Sequence, residues 1–335
     1  MTHKLFLLVF FALIILQTSY AQLDNNYHPV QMQGEIPEDV LASVKEQTYK
    51  EMAEGNTSFS DKQNKQYFAL SNYAFKQAMQ SGKLYFNDRF SAYLEGIAAR
   101  LLKDDPELKK SIRIYATKLP MPNASAWRNG VIFVNIPLLS YLESEAQLAF
   151  VLAHEISHYK RKHVYNQYKK KIDLERSVYN NSKTVDELFE LMKFSRKNEL
   201  QADADAFEML LKTDYTPVEA LGALVQLAEI DNSPVSFPYK INELFQFEDS
   251  LFDFKISCDS AYYSFKPKRT NQVDSLSTHP DIEERIEIIT EKLQEVEEIG
   301  GELFLEGELV FRKIQEMAYV EQIQNFYDMG SYLVS

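Results

Sequence analysis

Apolar residues recur every three to four positions along most of this chain, the spacing of helices with one buried face. Pro37 to Ala53, Lys65 to Gln80 and Asn87 to Lys103 all follow it. Pro37 stands near the start of the first and Gly55 beyond its end, while Gly82 closes the second, the usual punctuation of helices. In the third, Phe90, Tyr93, Leu94, Ile97, Ala98 and Leu101 share a face and Asn87 is placed to cap it. All three read as scaffold. The period changes over Ser111 to Leu139. Ile112, Ile114 and Ala116 alternate with Arg113, Tyr115 and Thr117, and Asn129-Gly130 leads into Val131-Ile132-Phe133-Val134. Alternation flanking a turn dipeptide predicts a short antiparallel sheet.

Helical spacing then resumes, from Ser144 to about Lys171, Thr184 to Lys212, Pro217 to Ile230 and Asp281 to Val296. Past the break at Gly300-Gly301, Glu302 to Ser335 reads as one or two further helices. Between Asp231 and Ser277 periodicity fails and aromatic residues gather. Such a stretch suits a lid or binding loop, or equally a satellite core. The expected fold class is α+β, mainly α-helical, with a small antiparallel sheet against a helical bundle. Few glycines (10) and prolines (11) in 335 residues agree with that helical bias.

Met1 to Ala21 reads as a secretory signal. Lys4 precedes an apolar run from Leu5 to Leu16, and Ser19-Tyr20-Ala21 offers small residues before a cleavage site at Gln22. An uncleaved signal anchor is the alternative. The mature protein is expected to be periplasmic or extracellular, with a helical segment over 22–86, a larger domain over 87–296 and a C-terminal helical segment over 297–335. The net charge of −13 argues against nucleic acid or an anionic membrane surface as a partner, although peripheral association with the envelope stays open. A single cysteine, Cys258, leaves no internal disulfide and no thiolate-based zinc site.

The chemistry concentrates in Leu148 to His163, where His154, Glu155 and His158 form an H-E-x-x-H motif on an apolar helix. Residues four apart share a helical face, so two imidazoles could hold one tetrahedral metal, zinc by preference. Glu155, beside the first, could take a proton from metal-activated water. His163 follows His158 by five residues, which predicts a different side of the helix and an exposed position. A third ligand is required, and Glu199 and Asp203 lie four apart on a later helix. A carboxylate there could complete the set, and Asp203 could hold an imidazole through its other nitrogen. On residue type alone, in a chain with 49 acidic residues, a solvated helix face is the preferred reading of these two carboxylates.

Together, H-E-I-S-H at 154–158, N-E-L-Q-A-D at 198–203 and T-H-P-D-I-E-E-R-I at 278–286 resemble the M48 metallopeptidases. These are the HtpX-like, Oma-type and CAAX-prenyl-protease-like zinc endopeptidases. Asn123-Ala124 and the following Gly130 to Val134 are similar to the family's substrate loop and edge strand. The resemblance implies a zincin-like domain with one Zn2+ per chain, held by His154, His158 and Glu199. It implies Glu155 as general base, His279 as a catalytic histidine near the metal, and Asp203 and Arg285 as supporting residues. Substrate would lie along Asn123 and Val131, Ile132, Phe133 and Val134. Trp127-Arg128 departs from the shorter apolar stretch of the family. The implied partners are polypeptides, specifically unfolded or misassembled extracytoplasmic proteins. The competing expectation is a chaperone-like binding protein whose zinc site is structural or latent, closed by His279.

Overall fold

The structure is a computed structural model and describes residues 27–30, 36–53, 61–181, 184–232 and 282–328. Two helices open it, α1 (Glu38–Ala53) and α2 (Asp61–Met79). Next come α3 (Arg89–Leu101), α4 (Pro106–Ser111), β1 (Arg113–Thr117), β2 (Ala124–Ala126) and β3 (Val131–Asn135). A short α5 (Ile136–Tyr141) leads into α6 (Glu145–Lys160) and α7 (His163–Asn181). The remainder is α8 (Thr184–Leu210), α9 (Glu219–Asn232), α10 (Ile282–Gln294) and α11 (Glu308–Asp328). The chain is mainly helical, as its spacing predicts, and the aromatic stretch Asp231 to Ser277 lies almost wholly outside the described residues.

The sheet differs from expectation in direction. β3 is central, parallel to β1 and antiparallel to β2, so the sheet is mixed. Alternation along a strand sets which face is buried but not which way a neighbour runs. The Asn129-Gly130 turn does join an antiparallel pair, but that pair is β2 with β3, and β1 enters from the far side. Every residue of β3 is buried. Ile132 and Val134 face the helices, while Val131 and Phe133 face a second cluster made with α1 and α2. Trp127 and Arg128, the departure noted in the sequence, hold α2 there. Phe75 packs edge-on against the Trp127 ring (5.3 Å), and Arg128 donates to Ser71 (2.8 Å) and Asn72.

α6 is the axis of the main core. Its apolar run from Leu148 to Ala153 is buried on all sides, packed by α3, α8, α9 and β2. Ser144 caps it, accepting from the Gln147 backbone N–H (3.1 Å). On α3 the capping residue is Asp88 rather than Asn87, which adopts a left-handed backbone (φ 55°). The C-terminal helix joins the same core through Phe311, Ile314 and Ala318.

One further expectation fails at the end of α6. The predicted helix from Ser144 to Lys171 is two helices, broken at Arg161-Lys162, with Lys162 left-handed (φ 54°). The chain turns there, so helical spacing no longer decides where His163 points. Far from exposed, His163 is buried against His158.

Candidate metal centre

His154 and His158 project from the last two turns of α6, and Glu199 reaches them from α8. The Nε2 atoms of the two histidines are 2.9 Å apart. Glu199 places Oε2 at 3.4 Å from His154 Nε2 and Oε1 at 3.5 Å from His158 Nε2. Ligands at roughly 2.0–2.1 Å from a tetrahedral zinc stand about 3.3–3.4 Å from one another. The spacing therefore fits one small cation, and these three residues could hold it. The donor set, two imidazoles and a carboxylate, is one that catalytic zinc uses with a position left open.

The surrounding charges favour a cation at this point. Burial works against a charged His154, but its hydrogen bonds to the Asp203 and Glu199 carboxylates outweigh it and raise its pKa. Burial, reinforced by positive charge at His154, lowers that of His158. His154 Nδ1 is 2.8 Å from Asp203 Oδ1, which leaves Nε2 turned toward the cluster. Asp203 is buried, and desolvation alone would raise its pKa. The Arg285 guanidinium and His154 hold it below the usual carboxylate range instead. Arg285 forks onto it from α10, with Nε at 2.6 Å from Oδ2 and Nη2 at 2.7 Å from Oδ1. Arg285, a supporting residue by resemblance, thus holds Asp203 directly. His279 itself lies outside the described residues.

Glu155 follows His154 and meets the edge of the sheet. Burial chiefly, and the nearby Glu199 charge, raise its pKa; His154 and the Ala126 backbone N–H pull the other way. That contact shows which way β2 faces. Asn123 C=O accepts from Asn135 N–H (2.9 Å), and Trp127 N–H donates to Val131 C=O (2.7 Å). Backbone groups alternate along an antiparallel strand, so Ala124 and Ala126 turn theirs away from β3, toward Glu155. Substrate alignment along Val131, Ile132, Phe133 and Val134 is therefore corrected. β3 is paired on both sides, and the edge beside the centre belongs to Ala124–Ala126. Asn123 is exposed at the start of that edge. Sequence reasoning missed two contributors, Ala126 and His163. Ala-Ser-Ala alternates over only three small residues, too short a run to mark a strand, and the turn that buries His163 contains neither glycine nor proline.

A helix presenting two histidines, a neighbouring helix presenting a carboxylate, and a glutamate set against a sheet edge define a metallopeptidase. The profile of Peptidase family M48 matches residues 91–293, and the chain belongs to that family. The chain is similar to the beta-barrel assembly-enhancing protease of Yersinia pestis, 27% identical over 99 residues. That alignment covers 30% of this chain and 20% of the relative. The protein of the same name from Escherichia coli (strain K12) is 27% identical over 95 residues, covering 28% and 20%. The matched stretch thus spans about a fifth of the length of these curated relatives.

Proposed function

We propose that the protein is a zinc endopeptidase of the extracytoplasmic space, acting on unfolded or misassembled envelope proteins. The observation that carries this reading is the convergence of His154, His158 and Glu199 beside a glutamate that touches the sheet edge. Zinc, when bound by these three, would supply Lewis acidity that makes water a nucleophile near neutral pH. Glu155, its carboxyl raised by burial, is poised to accept a proton from the attacking water and return it to the departing amine. Asp203 holds the His154 ring by its Nδ1, and Arg285 keeps Asp203 charged. A peptide would add as a strand along Ala124–Ala126, its backbone matched to groups turned away from β3. The extracytoplasmic setting rests on the signal-like Met1 to Ala21 and on the relatives' printed role in β-barrel assembly. Among the described residues no helix is long and apolar enough to cross a membrane.

The test is digestion of casein by the purified chain beside Glu155→Gln, with the zinc content of both measured. Cleavage that a chelator abolishes, and that falls about 10²–10⁴-fold in Glu155→Gln at equal zinc, is the expected result. Two zinc-loaded but inert proteins would favour a structural or latent site, and equal cleavage by both would remove Glu155 from the chemistry.

A further inference from the structure

Each histidine of the centre is backed through the ring nitrogen that faces away from the cluster, but by different partners. Behind His154 stands Asp203, a carboxylate. Behind His158 stands another imidazole. His163 Nδ1 is 3.0 Å from His158 Nδ1, the two rings nearly perpendicular (81°) with centroids 4.9 Å apart. His163 is only 4% exposed, and its Nε2 is 3.4 Å from Gln201 Oε1 on α8. The left-handed turn at Lys162 brings it there by breaking the helix immediately after α6.

The protons on this row can be placed in one consistent way. If His158 turns the lone pair of Nε2 toward a metal, its proton sits on Nδ1. That N–H donates to His163 Nδ1, which must then be the acceptor. The His163 proton is left on Nε2, where the Gln201 carbonyl oxygen accepts it. A ligating imidazole held through its second nitrogen has a fixed tautomer and orientation. One stretch of α8 therefore serves the centre three times, with Glu199 toward the cluster, Asp203 behind His154 and Gln201 behind His163.

We propose that His163 is a positioning residue of the metal centre, orienting His158 through Nδ1, with Gln201 setting the His163 tautomer. The proposal rests on the metallopeptidase reading of His154, His158 and Glu199. It assigns unlike support to the two histidines, a charged partner for one and a neutral partner for the other. His158 is thereby aimed without a second buried carboxylate being added to the site.

The experiment measures zinc affinity by competition with a chromophoric chelator, in Glu155→Gln so that self-digestion plays no part. His163→Phe keeps an aromatic ring but offers no acceptor. It should weaken zinc binding about 10–100-fold and alter the visible spectrum of the cobalt-substituted protein. His163→Asn, which returns an acceptor near the Nδ1 position, should restore both to within a few-fold of the parent. Gln201→Met should weaken zinc several-fold, and it carries the test if His163→Phe does not fold. Parent-like affinity and cobalt spectrum in His163→Phe, or in Gln201→Met where that variant alone folds, would overturn the proposal. A parent that binds no zinc would instead overturn the underlying reading of the centre.

Discussion

Asp203 shows how one residue can serve both the site and the fold. Its carboxylate is 1% exposed and takes two hydrogen bonds from Arg285 and a third from His154. A buried carboxylate left without its cation is costly. Breaking such a pair by removing one partner typically loses 3–5 kcal/mol, because the remaining charge is stranded. Arg285→Met, which fills the guanidinium's space with an apolar chain, should therefore cost about 3–5 kcal/mol of folding free energy. Urea unfolding of the metal-free protein measures this without any contribution from bound zinc. A loss below about 1 kcal/mol, the ceiling of an ordinary exposed pair, would show that Asp203 does not depend on Arg285.

At the scale of elements, the site is the alignment of α6 with α8, which make the most extensive helix contact in the described structure. Asp205 pins that alignment. It accepts from Ser157 Oγ (2.8 Å) and is gripped by Arg161 through Nε (2.7 Å) and Nη2 (2.8 Å). Partial burial would raise its pKa, but Arg161 and Ser157 lower it overall. A carboxyl depressed in the folded state contributes stability that is present above its unfolded pKa, about 3.9, and is lost as pH falls through the depressed value. Arg161 is well exposed, so Asp205→Asn should cost only about 1 kcal/mol at neutral pH. The difference from wild type should shrink to nothing as acid protonates Asp205, and a pH-independent difference would refute this account. At the hairpin, Gly130 has φ 80°, and an added Cβ would lie 2.1 Å from the Ser111 carbonyl oxygen. Strain and clash together should cost Gly130→Ala at least about 2 kcal/mol by thermal or urea unfolding, and should lower peptide cleavage by moving β2. The helices around the centre were legible because their cues are local: Ser144 as a cap, the apolar run before His154, the four-residue spacing of Glu199 and Asp203. The sheet was not, because strand alternation carries no direction. The unbroken apolar run Val131 to Val134 did hold the signal of a central strand buried on both faces. The burial of His163 was hidden for a different reason. A left-handed lysine inside a basic run leaves no mark in composition, and the packing of α7 on α8 that accompanies the turn is a long-range feature.

Across the whole molecule, the two ends of the described chain meet beside the end of β1. Glu321 of α11 is 1% exposed and accepts from Tyr27 Oη (2.5 Å), Tyr85 Oη (2.6 Å) and the Val30 backbone N–H (2.6 Å). Lys118, after β1, donates to the Val30 carbonyl (3.1 Å) and stands 3.8 Å from Glu321. α11 is tied to the same region by Asn325, which donates to Lys118 C=O (2.6 Å), and by Gln315, which donates to the carbonyls of Leu139 and Leu142. Residues on either side of the metallopeptidase region thus close over one buried carboxylate. Each buried donor left without an acceptor costs about 1–3 kcal/mol, and Glu321→Leu would strand three at once. Water can reach the partly buried Tyr27 and Val30 more readily than Tyr85, so the expected loss is about 2–4 kcal/mol rather than the full sum. The variant should unfold at lower urea, yet once folded it should bind zinc as tightly as wild type, because none of these groups touches His154, His158 or Glu199. Equal stability would mean that the chain ends rest on apolar packing alone. Weakened zinc binding by the folded variant would mean instead that α11 transmits its position through α5 to the start of α6, and so to the metal centre.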